Sequence, residues 1–140
     1  MTDHKPIVTI DRLHACIVVK NMEASINWYH DLLGFNVIQQ YVFSDSVRVA
    51  YLELNGVEIE FVENKNIKSF IRSDPPTEHV AIQGISQLSF RVDNLCNVME
   101  SLDKQSIKIV YGPVDAEALK LKALFIRDNE GNLLEFIQRY

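Results

Sequence analysis

The chain has 140 residues, of which 47% are hydrophobic and 24% charged, and its formal net charge is −5. That composition suits one domain with a packed core and excludes a disordered chain. The acidic balance, with a pI near 5.3, speaks against non-specific nucleic-acid binding, which needs a basic surface to displace counterions.

The first residues, MTDHKP, lack the basic n-region and apolar h-region of a signal peptide. Apolar runs such as residues 17–19 and 123–126 fall far below the ~20 residues of a membrane span. Cys16 and Cys96 lack a C-x-x-C spacing and read as reduced, buried and inert thiols. A cytoplasmic protein without membrane association is expected.

In chain order, residues 12–19 alternate and predict a strand. Asn21 is placed to cap a helix carrying Met22, Ile26, Tyr29 and Leu33, which Gly34 ends. Residues 35–43, 47–54 and 57–63 predict three strands separated by SDS and NG turns. Residues 64–83 are polar, contain Pro75-Pro76, and read as a linker with one helical turn around 67–71. The same order then recurs. Residues 85–92 predict a strand, and Asn94 caps a helix carrying Leu95, Val98, Met99 and Leu102. Residues 107–111, 121–127 and 132–138 predict strands, with DNEGN as the last turn. VVKNM (18–22) matches RVDNL (91–95), and Glu60 matches Glu135, so the pattern repeats after about 73–75 residues. Each half is β-α-β-β-β. The expected organisation is a single domain over 1–140, with module one at about 10–63, a linker at 64–83 and module two at about 84–138.

NGVEIEFVE and EGNLLEFIQ each set a Glu inside an apolar strand. Strand parity separates the two. Glu58 shares the face of Glu60, so that pair can face water. Leu133 and Ile137 share the face of Glu135, which predicts a mostly buried carboxylate. Such a group is costly unless paired, hydrogen-bonded or metal-bound. His14 and Gln87 hold corresponding places in the first strands of the two halves. Taken singly, each of the four has a plain structural reading. Together, His14, Glu60, Gln87 and Glu135 form an N/O donor set suited to a hard or borderline divalent ion. A closed structural zinc site would use Cys and His instead.

LHACIVVKNMEASINWYHDLLGF, GISQLSFRVDNL and RDNEGNLLEFIQ resemble signatures of the vicinal-oxygen-chelate superfamily. That is the glyoxalase, bleomycin-resistance and extradiol-dioxygenase group, and the resemblance covers roughly residues 10–138. It implies an α+β fold in which two tandem βαβββ modules form an eight-stranded cup. It also implies a divalent metal ion (Ni, Co, Zn, Mn, Mg or Fe) held by His14, Glu60, Gln87 and Glu135. Position 87 is most often His in metal-binding members. Gln occurs at ligand positions in glyoxalase I and methylmalonyl-CoA epimerase types, and it weakens the two-His, one-carboxylate iron reading. A small-molecule substrate and a homodimer are further implications.

The chemistry the resemblance implies is that of a lyase or isomerase moving a proton next to a metal-bound carbonyl. Glu135 is the expected base, with Glu60 as alternative base or ligand. Arg91 shares a face with Gln87 and is placed to meet a substrate carboxylate. Cys16 and Ser89 are expected to shape the binding surface. Two other readings are a metal-free, resistance-type binding protein and an Fe(II)-dependent dioxygenase. Trp28 and Tyr29 are expected in the core or an interface, and His4, His30 and His79 on the surface.

Overall fold

A computed structural model of the chain describes residues 4–69 and 75–140. The chain divides into two compact units on either side of the 69/70 bond. Both are α+β, and each holds a four-stranded sheet.

The first unit contains β1 (His14–Val19), α1 (Met22–Trp28), β2 (Asn36–Val42), β3 (Val47–Leu54) and β4 (Val57–Asn64). The sheet order is β1-β4-β3-β2, with β1 parallel to β4 and the other pairs antiparallel. The Asn21 side chain accepts the Ala24 N–H at 3.0 Å and so satisfies one orphan donor of α1. One continuous helix to Leu33 was expected. The α-helix instead ends at Trp28, and Tyr29–Leu33 form a wider π-turn that stops at Gly34, φ +85°. Tyr29 is fully buried there, its ring 5.0 Å from Phe61 and 6.1 Å from Phe35. Phe35 is buried ahead of β2, its N–H held by the Tyr29 carbonyl, so the strand starts one residue later than expected. Asn55 and Gly56 both have positive φ, 49° and 80°, the two-residue hairpin turn that matches strand twist.

Parity then divides the sheet. Ala50, Leu52, Ile59 and Phe61 are at most 1% exposed, and the Tyr29–Phe61 contact puts the helical segment on their side. Each large side chain buried contributes about 2–3 kcal/mol. A one-residue slip would bring all of them to the other face, so the register is fixed. Cys16, Tyr51 and Glu60 therefore lie on the face away from this core.

The second unit contains α2 (Pro76–His79), β5 (Leu88–Arg91), α3 (Leu95–Lys104), β6 (Ile109–Ala116), β7 (Leu121–Arg127) and β8 (Leu133–Arg139). Its order is β5-β8-β7-β6, with β5 parallel to β8. Asn94 caps α3 through the Asn97 N–H at 3.1 Å. Leu124, Ile126, Leu134 and Phe136 form the buried face. Asp128 is nearly buried because its carboxylate accepts the N–H groups of Glu130 and Asn132, both at 2.9 Å, which builds the DNEGN turn.

Several expectations need correction here. The stretch read as a linker contains a short helix, α2, which Pro76 opens, where a missing N–H and a fixed φ cost nothing. The helical turn expected around 67–71 is absent at 67–69, and its remainder lies outside the described residues. His79 is 2% exposed, not a surface residue. Its Nε2 accepts from Arg127 Nη2 at 3.1 Å, a partner 48 residues away. β5 is shorter than expected, so Gln87 precedes it. β6 runs to Ala116 through register shifts flanking Tyr111. Both cysteines are free but exposed rather than buried. Among the described residues, no helix is long and apolar enough to cross a membrane.

Candidate functional site

In the first unit the strand register sets three side chains in one row. Cys16 of β1 lies opposite Glu60 of β4, and Tyr51 of β3 lies opposite Glu60 on its other side. His14 is two residues before Cys16 and shares its face. It leans over the row, with Nε2 3.4 Å from Glu60 Oε2 and its ring edge-on to Tyr51 at 6.2 Å. The Glu60 side chain is 19% exposed and that of His14 is 43%.

Glu60 dominates the local electrostatics. The Tyr51 hydroxyl is pushed above its ordinary value chiefly by the Glu60 charge. The Cys16 thiol is pushed up first by desolvation, although the residue as a whole is exposed, and then by Glu60. A raised thiol pKa leaves little thiolate, so Cys16 is a poor nucleophile.

The second unit writes the same row with different side chains. Ser89 of β5 and Phe125 of β7 lie on either side of Glu135 in β8. Ser89 Oγ donates to Glu135 Oε1 at 2.7 Å. Gln87 is half-buried just ahead of β5. Among the described residues no hydrogen bond joins it to Glu135. Arg91 is exposed, one turn of the strand alternation beyond Ser89.

The expected contrast in burial between the two glutamates is not seen. Glu60 and Glu135 are both half-buried; Glu58 is half-buried as well, and beside Glu135 on its face Leu133 is buried and Ile137 half-buried. What separates them is their neighbours. Glu60 has His14, Cys16 and Tyr51, whereas Phe125 gives Glu135 no hydroxyl. Tyr51 was not among the site residues expected from the sequence. Its one signal was parity, since it sits opposite the apolar Ala50 and Leu52, and that signal names no partner until the register is known.

Two donors bound to one ion at ~2.1 Å, at octahedral to tetrahedral angles, stand roughly 3.0–3.4 Å apart. The 3.4 Å between His14 Nε2 and Glu60 Oε2 falls at the upper end of that range. The pair therefore fits as two adjacent ligands. Among the described residues no cluster of three His, Cys, Asp or Glu forms a ready-made metal centre.

The family profile described as the Glyoxalase/Bleomycin resistance protein/Dioxygenase superfamily matches residues 12–136. The chain belongs to this superfamily. A curated relative, virulence protein STM3117 of Salmonella typhimurium strain LT2, is 25% identical over 133 residues, covering 92% of this chain and 85% of the relative. Among solved structures, the glyoxalase family protein from Enterococcus faecalis superposes with a TM-score of 0.74 at 25% identity, covering 91% of this chain and 97% of the other. The trypanothione-dependent glyoxalase I of Leishmania major superposes with a TM-score of 0.70 at 18% identity, covering 93% and 87%, a likeness of fold. Membership in the superfamily accounts for the duplicated βαβββ order and for matching sheet orders in the two units.

Proposed function

We propose that this superfamily member is a metal-dependent lyase or isomerase of glyoxalase or epimerase type, acting on a small molecule that bears a carbonyl. The proposed metal donors are His14, Glu60, Gln87 and Glu135. The approach of His14 Nε2 to Glu60 Oε2, at 3.4 Å, is the observation that carries this reading. A divalent ion held by that set would supply Lewis-acid polarisation of a substrate carbonyl oxygen.

The chain's own residues do the rest. Glu135 takes a proton from the carbon next to the carbonyl; in a glyoxalase-type reaction it returns that proton to the former carbonyl carbon while the hydroxyl proton of the first carbon passes to the former carbonyl oxygen, and in an epimerisation a water on the other face supplies the proton that inverts the centre. The Ser89 hydroxyl, donating to Oε1 at 2.7 Å, fixes the carboxylate and leaves Oε2 as the proton-accepting atom. Arg91, exposed on the face of β5 that carries Ser89, meets an anionic group of the substrate. Cys16 and Ser89 also shape the surface on which the substrate lies. A homodimer is part of this reading.

Elemental analysis of the purified protein tests it, together with proton–deuterium exchange assays on the hemithioacetal of methylglyoxal and on a 2-methylacyl-CoA. The expected result is one divalent ion per chain and metal-dependent exchange on one of these substrate types. A metal-free protein that binds a small molecule unchanged would overturn the reading in favour of sequestration.

A further inference from the structure

We infer that Cys16 and Tyr51 are positioning residues that hold Glu60 as a fixed metal-binding carboxylate, one from each neighbouring strand. This rests on the metal-binding reading above and assigns unequal work to the two glutamates.

The geometry comes from the sheet. Cys16 on β1 and Tyr51 on β3 are the register partners of Glu60 on its two sides. Directly opposed residues on one face have Cβ atoms about 4.5–5.5 Å apart, within reach of a side-chain hydrogen bond. Both partners carry a proton to give, a thiol S–H and a phenol O–H, and both lie directly across from Glu60 in the register. The His14 ring stands edge-on to Tyr51, so the phenol also packs against the other proposed ligand.

The duplication supplies an internal comparison. At the place of Cys16 the second module has Ser89, whose hydroxyl donates to Glu135 at 2.7 Å. At the place of Tyr51 it has Phe125, which cannot donate. Glu60 is thus flanked by two residues able to donate and Glu135 by one. A ligating carboxylate benefits from outer partners that fix its orientation. A base needs an oxygen left open for the incoming proton. The two rows differ in the sense this division of work requires.

Titration with Co(II), followed by visible absorption, tests the inference on the whole protein. Tyr51→Phe and Cys16→Ala are each expected to weaken Co(II) binding on the order of 10-fold and to shift the ligand-field bands. Circular dichroism and the melting temperature should stay near wild type. Cys16→Ser restores the hydroxyl donor that Ser89 supplies in the other module, and should return binding close to wild type. If Tyr51→Phe and Cys16→Ala bind Co(II) with wild-type affinity and spectrum, this inference falls and the metal reading stands. A thiolate-to-cobalt charge-transfer band that Cys16→Ala removes would make Cys16 a ligand and overturn its positioning role. A wild-type protein that binds no Co(II) would overturn both.

Discussion

Glu63 Oε2 accepts the backbone N–H of Met22 at 2.7 Å, so the end of β4 caps the first turn of α1. The second module repeats the device, with Gln138 Oε1 accepting the Leu95 N–H at 2.7 Å. The first amides of a helix have no partner within it, and an acceptor there stabilises the helix start. Glu63 does more than Gln138, because Arg48 donates to it at 2.8 and 3.0 Å. Glu63→Ala should therefore cost about 2 kcal/mol and Gln138→Ala about 1 kcal/mol. Urea unfolding of the two variants measures the order, and a Gln138 variant that is the less stable would contradict it.

The Arg48 cluster sets a pH dependence. Hydrogen bonds from the Arg48 guanidinium hold the carboxyls of Glu63 and Glu23 below the ordinary value of 4.5. A carboxylate depressed in the folded state contributes stability above its unfolded pKa and loses it as pH falls through the folded one. Glu63, 16% exposed, carries more of this than Glu23, 65% exposed, where solvent screens the pair. Arg48→Met should be less stable than wild type at pH 7. The gap should close as pH drops below about 4.5. Thermal melts from pH 7 to pH 3 check this; a gap that stays constant with pH would show that the carboxylates are not its source.

The duplicated order, the N-caps Asn21 and Asn94 and the NG turn were legible because each depends on neighbours in sequence. The residues that were missed depend on partners fixed only by register. Tyr51 gains meaning from Glu60 across the β3–β4 pair, and neither residue specifies that pairing locally. His79 sits in a polar stretch, and its burial against Arg127 follows from how 75–87 lies on the second sheet. The matched roles of Glu63 and Gln138 did leave a trace, since they keep the offset of Glu60 and Glu135. Their different chemistry hid it. The burial contrast expected between Glu60 and Glu135 failed for a related reason. Parity assigns a face, but it does not say what lies over that face.

Glycine position should separate two substitutions of the same kind. Gly56 (φ +80°) has nothing within 4 Å of a built Cβ, whereas at Gly112 (φ +92°) a Cβ would stand 2.8 Å from the Ala123 carbonyl oxygen. Gly56→Ala meets only backbone strain, about 1 kcal/mol. Gly112→Ala meets strain and a backbone clash across β6–β7, and should cost about 3 kcal/mol or fail to fold. Melting temperatures of the two variants provide the comparison. Equal losses would mean that β6 moves away freely.

Glu135→Gln separates holding from proton transfer at the proposed centre. The variant keeps the side-chain shape and an oxygen that can accept from Ser89, now 2.7 Å from Oε1. It also keeps an oxygen donor for a metal. It loses the basic oxygen. Turnover should fall on the order of 10²–10⁴-fold, while metal content stays near wild type. Glu60→Ala should behave in the opposite order. It removes the oxygen donor beside His14, one half of the pair whose 3.4 Å separation suits one ion, so metal is lost first and activity follows in proportion. Elemental analysis of both variants, paired with deuterium exchange at the substrate carbon, distinguishes the two patterns. Retained exchange in Glu135→Gln would remove Glu135 as the base, and metal-replete but inactive Glu60→Ala would transfer that role to Glu60.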